Sequence, residues 1–203
     1  MNRSAVNVPN ILTVARILCS LLIFTLLPFG FYRTGFVLFV IGSLTDFADG
    51  WWARHFHQVT KLGRILDPFA DKLLVCGTLI YLAAIPELRG VSLPGCPWRL
   101  GLMPWMVVVI VSRELLVTML RSIVEGSGGD FSAKWLGKIK MGFQCVGIGA
   151  CFVYLFLLSG GKSYTWVNLT LIVCLWGMII TALHSCVNYI IAASRALNAA
   201  QTE

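Results

Sequence analysis

Six long apolar runs divide this chain, and each is long enough to cross a lipid bilayer as a helix. They cover roughly residues 10–29, 35–53, 64–85, 102–124, 134–158 and 165–193. About 20 helical residues span the hydrocarbon core of a membrane. Only 12% of the residues are charged, about half the share that is typical of a soluble domain. The pattern predicts an all-α integral membrane protein, with six transmembrane helices in a single domain covering residues 1–203.

Basic residues are unevenly distributed between the two ends of these runs. The N-terminus, the second and fourth links and the tail contain Arg3, Arg54, Lys61, Arg64, Arg121, Lys134, Lys138, Lys140 and Arg195. The first, third and fifth links contain Arg33, Arg89, Arg99 and Lys162. Because cytoplasmic loops are enriched in Lys and Arg, we expect both termini in the cytoplasm, with the chain in a bacterial-type cytoplasmic (inner) membrane.

The net charge of +7 favours anionic partners, such as lipid headgroups or phosphorylated substrates. The basic residues are spread over short loops. Nucleic acid is therefore not expected as a partner.

Four aspartates stand out in this apolar chain, which has nine acidic residues in total. Asp46 and Asp49 are three residues apart, and Asp67 and Asp71 are four apart, so each pair shares one face of a helix. Four carboxylates close together would repel one another unless cations lay between them. Hard oxygen ligands suit Mg²⁺ or Mn²⁺, and four of them suffice for two ions. The alternative is a structural network of ion pairs.

The expected topology brings these acids together with basic residues. Asp46 and Asp49 lie near the end of the second run, and Asp67 and Asp71 lie near the start of the third. Arg113 on the fourth run reaches the same side. The sequence therefore predicts a polar active-site cavity just inside the cytoplasmic face, where ionisable groups are costly and usually functional.

Two glycines lie between the acids. Gly50 and Gly63 have no side chain, so a ligand can approach their backbone closely. The alternative is that they serve the close packing of helices through small residues.

The acidic segment is similar to the signature of the CDP-alcohol phosphotransferase family, membrane enzymes of phospholipid synthesis. The positions that carry the resemblance are Asp46, Asp49, Gly50, Ala53, Arg54, Gly63, Asp67 and Asp71. The resemblance implies a six-helix homodimer in which the four aspartates hold two divalent cations. It also implies that an acceptor hydroxyl attacks the β-phosphorus of a CDP-linked lipid and CMP leaves, with Asp71 as the general base.

Further segments resemble the members of this family that use sn-glycerol 3-phosphate. They are residues 9–16, 66–72, 112–117 and 136–140, with Gln144. This resemblance implies that CDP-diacylglycerol and sn-glycerol 3-phosphate are the substrates, and phosphatidylglycerol phosphate and CMP the products. Two alternatives stay open: another acceptor, such as an inositol phosphate or phosphatidylglycerol, and a divalent-cation transporter that uses the carboxylates as an ion site.

Basic residues near the acids are candidates for the acceptor's phosphate, because Arg can bind phosphate through two hydrogen bonds and Lys adds a point charge. The candidates are Arg113, Lys134, Lys138 and Lys140. Lys138 and Lys140 are two residues apart, so the three lysines cannot all face one site. The alternative for each lysine is an anchor at the lipid headgroups. We expect Glu114 to hold Arg113 or a lysine in place.

Residues around the same cavity are candidates for binding the CDP-lipid. Asn10 and Thr13 lie three residues apart at the start of the first run, where they can reach the nucleotide or instead cap and join helices. Arg54 is favoured over Lys61 for the phosphates. The full predicted set is Asn10, Thr13, Asp46, Gly50, Ala53, Arg54, Lys61 and Gly63.

Overall fold

The computed structural model describes residues 8–55, 61–126, 134–162 and 164–200, and describes side chains for 10–45, 63, 66–123, 140–162 and 164–194. All regular structure in these ranges is helical, so the all-α prediction is confirmed. The helices are α1 (Val8–Leu26), α2 (Tyr32–His55), α3 (Lys61–Lys72), α4 (Thr78–Ala84), α5 (Pro86–Arg89), α6 (Pro104–Gly126), α7 (Lys134–Ser159) and α8 (Thr165–Ala200).

Proline and glycine end these helices where the apolar runs end. After α1 the chain makes a 3₁₀ turn that contains Pro28, and Gly30 follows with a φ of 78°. After α7, Gly161 has a φ of 71°, and the N–H of Lys162 donates to the carbonyl of Leu157 at 3.0 Å. This is the hydrogen bond of a glycine C-cap, which satisfies a carbonyl that the helix leaves open.

The third apolar run is a helix with an irregular middle. Pro68 lies inside α3, and a π turn, Leu73–Gly77, joins α3 to α4. The ring of Phe24 in α1 occupies the space that a Cβ on Gly77 would need. Glycine therefore allows α1 and the π turn to approach this closely. The turn begins two residues after Asp71, and π turns within α-helices are frequent at functional sites.

The long helices pack in pairs around a main apolar core, and a second, small apolar cluster of Val117, Tyr189 and Ala193 lies between α6 and α8. α1 packs against α2 and α3, α7 packs against α2 and α8, and α6 packs against α8. Seven of the core residues are Ile23, Leu79, Ile110, Ile148, Phe152, Leu175 and Met178.

The link between α4 and α6 closes one end of this core. Leu88 in α5 is buried, as are Val91 and Leu102 after it. The N–H of Leu102 donates to the carbonyl of Leu88, and the N–H of Leu100 donates to the carbonyl of Val91, each at 2.9 Å. The segment is therefore folded against the bundle.

Three helical stretches within the described residues are long and apolar enough to cross a membrane: Asn10–Phe29, Lys140–Ser159 and Thr165–Ser194. Tyr32–Thr45 is a shorter apolar helix. α6 is not one of the three stretches; it carries the charged residues Arg113, Glu114 and Arg121, which make it less apolar than they are. Six crossings, their orientation and the side on which the termini lie stay predictions.

Candidate active site

One face of the first half of α1 is polar and buried. Its residues are Asn10, Thr13, Arg16 and Ser20, spaced three or four apart. Ile11, Val14 and Leu18, which lie between them, are exposed. This pattern is the inverse of a water-soluble helix and is expected where polar groups face a protein interior and apolar ones face lipid.

Thr13 joins this polar face to α3. It is fully buried, and its hydroxyl donates a hydrogen bond to Oδ1 of Asp67. Asp67 and Asp71 are both partly buried and lie one turn apart in α3. Of the two predicted roles for Thr13, joining helices is thus confirmed, while a contact with nucleotide stays a prediction.

Eight of the predicted site residues have side chains outside the described set: Asp46, Asp49, Gly50, Ala53, Arg54, Lys61, Lys134 and Lys138. Their positions lie within α2, α3 and α7. α2 is helical as far as His55, so positions 46, 49 and 53 follow one another at three- and four-residue spacing along one face, and position 50, next to 49, lies one turn from both 46 and 53. Gly63 is described, and it is buried.

Asp67 and Asp71 are the described half of the predicted metal ligands. Their carboxylates are hard oxygen donors, they share one face of α3, and they are partly shielded from solvent, all of which fits Mg²⁺ or Mn²⁺. Among the described residues, no three His, Cys, Asp or Glu lie together as a metal site. A complete ligand set would therefore need Asp46 and Asp49 as well.

A second polar cluster is centred on Glu114 in α6. Its Oε1 accepts hydrogen bonds from Nη1 of Arg113 and from Nε2 of Gln144, each at 3.1 Å, and the ammonium of Lys140 pairs with the same oxygen. Arg113, Lys140 and Gln144 are all buried. Two cations and one carboxylate leave one net positive charge here. The prediction that Glu114 holds Arg113 or a lysine is confirmed for both.

Helix α8 holds the other side of Arg113. Nη2 of Arg113 donates to the hydroxyl of Ser185, and the guanidinium lies 5.6 Å from the centre of the Tyr189 ring, within the range of a cation–π interaction. The Nε of Arg113 is buried and has no hydrogen-bond partner among the residues described here. A buried donor of this kind is available to an anionic ligand.

The two clusters are near enough for their charges to interact. The charges of Asp71 and Lys140 interact, and both act on the thiol of Cys76, as does the charge of Glu114. Asp71, Glu114 and Lys140 are therefore close enough for their charges to influence one another, and the full convergence of the predicted site stays a prediction.

Besides Glu114, which was expected only to hold its neighbours, five residues of these clusters were not among the predicted site residues: Arg16, Ser20, Gln144, Ser185 and Tyr189. Arg16 is 1% exposed, so it faces the interior of the protein. The sequence signal that could have identified them is a polar residue inside an apolar run. Ser185 and Tyr189 also lie one helical turn apart, so they share a helix face. Within a run of this kind, such a residue is expected to face other helices.

The sequence matches the family described as CDP-alcohol phosphatidyltransferase over residues 6–194. A Bacillus subtilis protein named CDP-diacylglycerol–glycerol-3-phosphate 3-phosphatidyltransferase is 38% identical over 164 residues, which cover 73% of this chain and 77% of the relative. A Rickettsia felis protein with the same name is 30% identical over 177 residues, covering 84% and 86%. A Salmonella choleraesuis protein, also with this name, is 29% identical over 147 residues, covering 70% and 74%. The chain belongs to the CDP-alcohol phosphatidyltransferase family.

Proposed function

We propose that this protein transfers the phosphatidyl group of CDP-diacylglycerol to sn-glycerol 3-phosphate, giving phosphatidylglycerol phosphate and CMP. The name of the Bacillus and Rickettsia relatives supports these substrates. The structural observation that carries the proposal is the buried group of Arg113, Lys140 and Glu114, which has one excess positive charge and interacts through Lys140 with the charge of Asp71 in α3. Such a pair suits a phosphorylated acceptor.

Asp46, Asp49, Asp67 and Asp71 are the proposed ligands of two divalent cations, Mg²⁺ or Mn²⁺. When bound, the cations would neutralise the diphosphate and the charge that develops on the departing CMP. The hydrogen bond from Thr13 orients Asp67, as is common for side chains next to metal ligands.

The reaction itself exchanges one phosphorus–oxygen bond for another. The acceptor's hydroxyl oxygen bonds to the β-phosphorus, and the bond from that phosphorus to the oxygen that bridges to CMP breaks. CMP leaves with the electron pair. Asp71 is the proposed general base that accepts the hydroxyl proton, since a carboxylate within hydrogen-bond reach can take it as the hydroxyl becomes acidic.

Arg113 and Lys140 are the proposed ligands of the acceptor's phosphate. The buried Nε of Arg113 is a donor that a phosphate oxygen can satisfy, and planar guanidinium suits phosphate geometry. Lys134 and Lys138 belong to the same proposed site, with anchoring at lipid headgroups as the alternative for each.

The CDP-lipid is proposed to lie between α1 and the α2–α3 region. The buried polar face of α1 offers Asn10 and Thr13, and Gly63 has no side chain that would keep a ligand from its backbone. Arg54 and Lys61 are the proposed contacts of the diphosphate. Asp46, Gly50 and Ala53 complete the proposed site.

The proposed membrane arrangement has six crossings, both termini in the cytoplasm and a homodimeric assembly. The apolar exposed faces of α1, α7 and α8 and the distribution of basic residues support the crossings and their orientation. A C-terminal fluorescent-protein fusion should be fluorescent in the cytoplasm. A fluorescent-protein fusion without fluorescence, together with an active fusion to an enzyme that works only after export, would reverse the orientation.

Release of CMP from purified protein tests the function. With CDP-diacylglycerol, sn-glycerol 3-phosphate and Mg²⁺ we expect CMP and phosphatidylglycerol phosphate, and chelation of the metal should stop the reaction. An acceptor panel should include inositol phosphate and phosphatidylglycerol. Faster turnover with either would refute the proposed acceptor.

The transporter alternative is not favoured, because the chain belongs to a transferase family. Divalent-cation flux into liposomes without any release of CMP would restore it.

A further inference from the structure

Lys140 pairs with one carboxylate and is within the electrostatic influence of a second, which belongs to a different part of the site. Its ammonium pairs with Oε1 of Glu114 in α6, and its charge also interacts with that of Asp71 in α3. Lys140 is 8% exposed, so water screens it poorly and the nearest carboxylates control its position.

Arg113 and Lys140 differ in how they are held. Arg113 contacts Glu114 and has two further anchors on α8, Ser185 and Tyr189. Among the residues that the structure describes, Glu114 is the hydrogen-bonding partner of Lys140. Loss of the Glu114 charge would therefore leave Arg113 anchored and release Lys140.

We propose that Glu114 is a positioning residue that holds Lys140 in the acceptor-phosphate site and keeps it from pairing with Asp71. The proposal rests on the proposed function, and it adds how Lys140 is kept with one of the two nearby acids. Without Glu114, the buried ammonium would turn to the remaining carboxylate, because an unpaired buried charge is costly. The acceptor's phosphate would then lose a ligand, and the proposed base would be occupied.

The first test is Glu114→Gln, which keeps the shape of the side chain and removes its charge. The KM for sn-glycerol 3-phosphate should rise about tenfold or more, and kcat should fall, because a charge-assisted contact is lost. The KM for CDP-diacylglycerol should stay within about twofold, since α6 is outside its proposed site. A general loss of structure would not separate the two substrates in this way.

Glu87→Gln is the matched control, because Glu87 is an exposed acid in α5 and has no place in the proposed site. Its kinetic constants should equal those of the wild type. Glu114→Asp, which retains the charge, should recover part of the loss seen in Glu114→Gln. An unchanged or lower KM for sn-glycerol 3-phosphate in Glu114→Gln would overturn the proposal.

The second test places Glu114→Gln in a Lys140→Met background. No ammonium is then left to be misdirected, so the added substitution should change kcat less than about threefold. The double variant also has no unpaired ammonium at position 140, which keeps the test valid if Glu114→Gln alone folds poorly. Equal fold-changes in both backgrounds would overturn the proposal while wild-type activity stands. A wild type that releases no CMP would overturn the proposed function and this proposal with it.

Discussion

Two helices that contribute to the site, α1 and α7, bury polar side chains in the first half of their described length and apolar ones in the second. In α1, the buried Thr13 and Arg16 are followed by the buried Ile23, and Leu27 is buried in the 3₁₀ turn after the helix. In α7, Lys140 and Gln144 give way to Phe152 and Leu155. The polar half of the bundle consists of Asn10, Thr13, Arg16, Ser20, Asp67, Asp71, Arg113, Glu114, Lys140, Gln144, Ser185 and Tyr189. The apolar half is the hydrophobic core described above.

The two halves make different contributions to the protein. Apolar packing gives the bundle van der Waals contacts at little cost, which is a main source of helix association in lipid. Buried polar groups must be matched with partners before they cease to be destabilising. A chain that keeps twelve such residues together is under a functional demand. The comparison predicts that substitutions in the polar half reduce activity, and those in the apolar half reduce stability.

Asp71→Asn should have the largest effect, and this effect should be on activity and not on stability. Removal of the proposed base should lower kcat by about 10²–10⁴-fold, the usual contribution of general base catalysis. Asparagine has nearly the same volume, so the melting temperature in detergent should change little. CMP release and fluorescence-detected melting measure the two quantities.

Binding of the CDP-lipid should largely survive in the same variant, as measured by protection against thermal unfolding. Turnover at the wild-type rate would remove Asp71 from the mechanism. A large fall in melting temperature with little loss of kcat would break the division between the two halves.

Phe152→Ala should have the next largest effect, and this effect should be on stability and not on activity. Phe152 is fully buried, and its ring packs against Phe36 and Phe39, with centroids 6.1 Å apart in both pairs. Truncation should lower the free energy of unfolding by about 3 kcal/mol, because it leaves a cavity. The KM values of the protein that remains folded should not change.

Phe156→Ala is the matched control, since Phe156 lies one turn further along α7 and is 48% exposed. It should cost far less stability. Equal losses from both substitutions would show that burial within the apolar half is not what stabilises the bundle.

The sequence predicts the helices better than it predicts the contacts between them. Apolar runs and the breakers Pro28 and Gly30 indicate where helices begin and end. The π turn at Leu73–Gly77 was not predicted, because its residues are compatible with an ordinary helix and its backbone depends on packing against Phe24. Only the folded chain reveals that contact.

In the candidate site, too, the sequence predicts which residues share a helix face better than it predicts their contacts with other helices. Spacing places Asp67 and Asp71 on one face of a helix, but it does not say which helix that face meets. Glu114 and Gln144 are 30 residues apart, and their hydrogen bond depends on the rotation of α6 against α7. Ser185 lies 72 residues from Arg113, so that contact is equally a product of tertiary packing.

Thr13→Val tests a contact within the polar half, with a smaller expected effect. The substitution keeps the shape and removes the donor to Asp67. Side chains that orient metal ligands typically contribute about 10–100-fold to metal affinity, so binding of Mn²⁺ to the protein should weaken by that order. Electron paramagnetic resonance of free Mn²⁺ measures this without turnover. Thr13→Ser, which keeps the hydroxyl, should bind normally, and equal weakening in both variants would assign the effect to packing instead.

Ser20→Ala should have the smallest effect and marks where the polar half ends. Ser20 is buried in the same face as Thr13, yet its hydroxyl donates to the carbonyl of Arg16 in its own helix at 2.8 Å. A hydrogen bond of this kind adds little to a helix, because that carbonyl also has its normal helical partner. Alanine should therefore change stability by less than about 0.5 kcal/mol and leave kcat and both KM values unaltered. A tenfold loss of kcat with the melting temperature preserved would extend the functional region one turn toward Ile23, and the boundary between the halves would have to be drawn there.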